Sequence, residues 1–199
     1  RLALNARQLL LGLQSLLAVE SAVALVEVLA HQGAVHRAVD TFHACIREPF
    51  AAAPPGHGAS LPAPPAKPNL LAMPIVPTVF ALGERLLRRG LLPVAKPILQ
   101  HVHRLHTTLH GLQSLPTCQS AQALARLYGR MGERGSLENI ARRLVRSLQD
   151  IAPAETEIDH YAIKQCVLGV AKQVKVSGLG PLADALRRAC AGLDDVLEL

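Results

Sequence analysis

Four histidines stand close together at His101, His103, His106 and His110. Wound into a helix, His103, His106 and His110 share one face, and His106 with His110 has the i, i+4 spacing that can grip zinc. No acid or cysteine lies in that stretch to complete a tetrahedral set, so these imidazoles are expected to pack or face solvent and no metal is expected. A covalent mechanism needs a nucleophile with a base in reach, yet the sequence has no GxSxG elbow and no papain-like cysteine context. Cys166 is six residues from His160 and points to a different helix face. Glu155, Glu157 and Asp159 fall at a helix start, where they counter the positive end of the helix dipole. Gly178 and Gly180 make only GLG, far short of a phosphate-binding loop. No residue set proposes a reaction, so no cofactor and no enzyme activity is expected.

The elements that carry these residues are helical. Half of the 199 residues are apolar, drawn from Leu, Ala and Val, with three Phe, two Tyr and no Trp; that is the composition of a helix-rich core. The most apolar stretch, Leu9 to Ala30, is interrupted by Gln14, Glu20 and Glu27. Acids at the centre of a membrane span cost about 2.5 to 3.5 kcal/mol each, so this stretch is expected to be a buried helix, with no membrane partner. Cys45, Cys118, Cys166 and Cys190 are scattered without a CxxC pair, and no Asn-x-Ser/Thr sequon occurs. Both facts point to an intracellular, nuclear or cytoplasmic protein with buried thiols. The chain opens on Arg1 and reads as a piece of a longer one.

Apolar periodicity places one long or two consecutive helices over Leu2 to Val28, a break at Gly33 and a return helix over Ala34 to Ile46. Residues 47–79 hold nine prolines, among them Pro54, Pro55, Pro64 and Pro65, and read as a flexible insertion. Helices resume near Thr78 to Arg89, then Val94 to Ser114 with a kink or delayed start at Pro97 and an end at Pro116. Ser120 to Arg134 and Ser136 to Gln149 follow, then a helix capped by Thr156 with Asp159 and running to Val176, and a last one from Pro181 to Ala191. The domain map is therefore 1–46, N-terminal helices and first hairpin; 47–79, insertion; 80–191, hairpin repeats; 192–199, C-terminal tail.

Gly90, Gly135 and Gly180 are spaced 45 residues apart, twice over. Two, five and nine residues after each stand Leu92, Ala95 and Leu99; Leu137, Ile140 and Leu144; Leu182, Ala185 and Ala189. Gly33 obeys the same frame with Val35, Ala38 and Phe42, and Leu29, Leu86, Met131 and Val176 hold the position four before each glycine. The unit is helix, glycine turn, helix. Leu29, Gly33, Ala38 and Phe42 follow the Leu, Gly, Ala, Phe order of tetratricopeptide and pentatricopeptide repeats, which this pattern resembles; HEAT-like repeats are similar to it in period. The resemblance implies an all-α fold of antiparallel helical hairpins, stacked as a short α-solenoid or right-handed helical array whose groove binds peptides, protein surfaces or nucleic acid.

The basic residues follow that frame too. Residues 78–150 carry eleven basic and four acidic groups, while the flanking segments nearly cancel. Arg85, Arg130 and Lys175 lie five before the frame glycines, Arg89 and Arg134 one before, and Arg142 and Arg143 recur as Arg187 and Arg188. Stacked hairpins would align these nine as ladders of positive charge. The ordinary reading of such residues is a solvated helix face; the functional one is an acidic peptide or a nucleic-acid phosphate backbone. Five aromatic residues leave few stacking platforms for bases. A scaffold or adaptor holding a protein partner is therefore expected first, a nucleic-acid-binding repeat of an RNA- or DNA-processing factor second, and a helical enzyme domain third.

Overall fold

Only a residue without a Cβ holds a positive φ at no steric cost, so glycines in that conformation mark where a helix must stop. In the computed structural model, which describes residues 15–48, 74–149 and 157–195, Gly33, Gly90, Gly132 and Gly178 have φ between 70° and 81°. Each closes a helix in the same way. The glycine N–H reaches the carbonyl three residues back, and the next N–H reaches the carbonyl five back at 2.9–3.1 Å, the paired bonds of a Schellman motif. The return helix begins two residues after each glycine.

The described helices are α1 (Leu16–His31), α2 (Val35–Phe42, continued by a π-helical turn His43–Arg47), α3 (Val76–Arg88), α4 (Leu92–His110), α5 (Leu115–Met131), α6 (Arg134–Gln149), α7 (Glu157–Val176) and α8 (Gly180–Asp195). The fold is all-α, and among the described residues there is no strand. None of these helices is long and apolar enough to cross a membrane. Contacts divide the chain into two compact units, the first ending at His101 and the second beginning at Val102, within α4.

In the first unit α2 folds back on α1, and α3 also packs on α1. Ser15 caps α1 by accepting the Ala18 N–H at 3.2 Å. Phe42, Ile46, Leu82, Leu86, Ile98 and Leu99 are fully buried, each contributing about 1.5 to 3 kcal/mol of transfer free energy. Gly83 lets α3 approach α4 closely, since a Cβ there would stand 2.6 Å from Leu99 Cδ2. In the second unit α5 pairs with α6 and α7 with α8, while α5 also packs on α7 and α6 on α8. Gly169 and Gly129 of the α5–α7 contact face Gln122 and Gln173 closely.

Several expectations from the sequence change. Gly135 and Gly180 do not make the turns; they lie inside the starts of α6 and α8. The reason is burial. A turn at Gly180 would make Val176 the last inward residue, but Val176 is 79% exposed and Val174, four before Gly178, is fully buried. The turn glycines are therefore 57, 42 and 46 residues apart, counted along the sequence, and the equal 45-residue spacing is not the structural period. In the corrected frame the fifth residue after each turn is Ala38, Ala95, Leu137 or Ala183, all wholly buried.

Pro116 does not end α4, which stops at Gly111 with φ 81°; it opens α5 behind the Ser114 cap, where a missing N–H costs nothing. Pro97 lies inside α4, which starts at Leu92, earlier than expected. Helix α3 starts at Val76, inside the expected insertion, and α8 runs on to Asp195, through half of the expected tail. The rest of the proline-rich segment, residues 1–14 and the Thr156 cap lie outside the described residues.

The corrected turns have a direct test. Gly132→Ala forces a Cβ into a left-handed conformation in otherwise open space and is expected to cost about 1 to 2 kcal/mol. Gly135→Ala, in open space within a helix, is expected to stabilise by about 0.5 to 1 kcal/mol. Chemical denaturation of both variants reads the difference, and the reverse order would move the turn back to Gly135.

Candidate partner-binding surface

Measured from the turn glycines, the basic residues that the 45-residue spacing aligns do not hold equivalent positions. Arg85 and Arg130 stand five and two residues before their turn glycines, Gly90 and Gly132, and Lys175 three before Gly178. A helix turns about 100° per residue, so these offsets put the three on different helix faces relative to their own turns. Arg130 and Lys175 are exposed in the last turns of α5 and α7, where a cation eases the negative end of the helix dipole by about 0.3 to 1 kcal/mol.

Arg85 and Arg89 are occupied by Glu27, an acid that in the sequence only interrupts an apolar run. Glu27 Oε2 accepts from Arg85 Nη2 at 3.0 Å and Oε1 from Arg89 Nη1 at 3.1 Å, with Arg85 Nε adding a second bond at 3.4 Å. Arg89 also meets His31 Nε2. The Glu27 side chain is 22% exposed, so this pairing ties α3 to α1 rather than waiting for a ligand. The partners are 58 and 62 residues apart, and no local pattern announces them.

In the second unit Arg142 Nη2 meets Glu138 Oε1 at 2.7 Å, an i, i+4 pair, and Arg187 meets Asp184 at 2.8 Å. Arg142 and Arg188 are the true equivalents, ten residues after Gly132 and Gly178; Arg188 is exposed. Arg134 donates to the Gly178 carbonyl at 3.3 Å, so α6 leans by its first residue on the turn between α7 and α8. Here an open groove of about 590 Å³ runs between α6 and the start of α8. Leu179, Leu182 and Ala185 give it an apolar side, and Arg134, Glu138 and Arg142 line the other. Glu138, Leu182 and Ala185 were not among the expected binding residues, because their juxtaposition spans two hairpins.

Arg143 borders a different, small pocket with His103 and Ser147. Ser120 Oγ gives its proton to the Thr117 carbonyl at 2.9 Å, so His103 must carry hydrogen on Nδ1 and donate to that hydroxyl at 3.0 Å. Burial, with the Arg143 and His106 charges adding, pushes the His103 pKa from 6.5 down to about 4. Burial also lowers His106, against a hydrogen bond with the Pro116 backbone. The His106 and His110 rings are 6.0 Å apart, but among the described residues no three His, Cys, Asp or Glu side chains converge as a metal site would require. Cys118, Cys166 and Cys190 are buried and unbridged; burial, with the other two thiols nearby, pushes Cys118 up to about 12.

Comparison with family models, curated proteins and solved structures finds no match to this chain.

Because His103 is held neutral in the fold, the unfolded chain binds more protons between pH 4 and 6.5, and stability is expected to be full above pH 6.5 and to fall as pH drops toward 4. His103→Gln should flatten that slope in urea melts across the window; an unchanged slope would assign it to other groups. An alkylating reagent should label the half-buried Cys45 before the three buried thiols, as read by mass spectrometry of the native protein.

Proposed function

We propose that this chain is a helical-hairpin scaffold that holds a protein partner within a larger assembly, its hairpins stacked as a short α-solenoid. The observation that carries the reading is the packing order in the second unit, where first helix lies on first helix (α5 on α7) and second on second (α6 on α8). A stack of repeats buries its core in that way, each hairpin covering its neighbour with like elements and leaving its outer faces for ligands. The identical Schellman turn at Gly33, Gly90, Gly132 and Gly178 supports one unit used repeatedly.

A protein partner is favoured over nucleic acid by the charges and the aromatics. The arginines at Arg85, Arg89, Arg142 and Arg187 each meet an acid, which breaks the continuous positive field that a phosphate backbone follows. Among the described residues only one aromatic side chain, Tyr161, is exposed, and bases need such platforms. An affinity-tagged chain recovered from cell extract should therefore keep its bound proteins after nuclease treatment. Release of all bound material by nuclease would transfer the reading to a nucleic-acid-binding repeat.

A further inference from the structure

We infer that the groove between α6 and α8 docks a short acidic segment of the partner protein, seated by one apolar side chain; this rests on the scaffold reading and names the segment it receives. The groove volume, about 590 Å³, lies within the roughly 300 to 1,000 Å³ typical of binding clefts. Leu179, Leu182 and Ala185 offer apolar contact without an aromatic among them, which suits a leucine-like side chain and gives a base nothing to stack on.

The charge pattern on the opposite wall selects further. Arg134, Glu138 and Arg142 follow at four-residue steps on one face of α6, about 6 Å apart along the axis. A guanidinium has five N–H donors. Arg134 uses one on the Gly178 carbonyl and Arg142 meets Glu138 through Nη2, which leaves donors on either side of Glu138, along the α6 wall, for incoming carboxylates. Glu138 between them repels a uniform polyanion at its centre but accepts a backbone N–H. The complementary ligand therefore alternates acid, donor, acid around an apolar anchor, as a peptide can and a phosphate backbone cannot.

The test is a display library of random dodecapeptides panned on the wild-type protein, with enriched peptides then measured by fluorescence anisotropy. Enrichment of an apolar residue flanked by Asp or Glu is expected. Affinity should fall about tenfold or more in Leu182→Asp and in Arg134→Glu, and should fall with added salt. Both changes place an acid in the first turn of a helix, where it suits the dipole; thermal melts verify that each variant folds, and Arg134 is exposed, so its variant reads binding even where Leu182→Asp unfolds. No enrichment, enrichment of peptides without acids, or equal binding by folded variants overturns the inference. So does displacement of the peptide by a single-stranded oligonucleotide of mixed sequence. Retention of nuclease-resistant partners by a Leu182→Asp chain that has lost the peptide would remove the groove and leave the scaffold; loss of all partners to nuclease would remove the scaffold itself.

Discussion

A left-handed residue at the end of a helix decides everything placed after it, because it sets where the chain reverses and which faces of the two helices meet. In this protein that constraint falls on Gly33, Gly90, Gly132 and Gly178. With the reversal two residues long at each, the fifth residue onward is carried into the contact with the preceding helix, and it is wholly buried every time: Ala38, Ala95, Leu137 and Ala183. Three of the four are alanine, a side chain small enough to permit close helix packing at that level.

The same constraint distributes the charges. Moving a turn from Gly135 to Gly132 or from Gly180 to Gly178 rotates the preceding helix by about 300° or 200° relative to the sequence frame. Basic residues that align in the sequence then fall at different positions relative to their turns. What remains is a set of local solutions. Glu27 takes Arg85 of α3 and Arg89 at its C-cap, Glu138 takes Arg142 along its own helix, and Asp184 takes Arg187. Exposed pairs of this kind contribute about 0.2 to 1 kcal/mol each, so their larger effect is on recognition: a patterned surface admits a ligand of matching pattern and repels a uniform one.

The histidines and cysteines show how burial silences chemistry that spacing suggests. His103 shares the face required for a metal site, yet its ring is half-buried against Ser120 and near the cation of Arg143. A neutral imidazole that already donates from Nδ1 serves the packing of α4 on α5. Cys118 is likewise buried close to two other thiols and held far from ionisation, which removes its nucleophilicity.

Helix content, the hairpin unit and the breaks at Gly33 and Gly90 were legible in the chain itself, because apolar periodicity and the conformational freedom of glycine are local properties. Gly132 and Gly178 were not, since each has a second glycine within three residues and local rules favour neither. Burial of Tyr128 and Val174 rather than Met131 and Val176 decided between them, and burial is known only once a second hairpin lies against the first. The Arg142 to Glu138 pair could have been read from its i, i+4 spacing. Glu27 with Arg85, and Leu182 opposite Arg134, could not, because those neighbours are brought together from different helices by packing that no residue specifies alone.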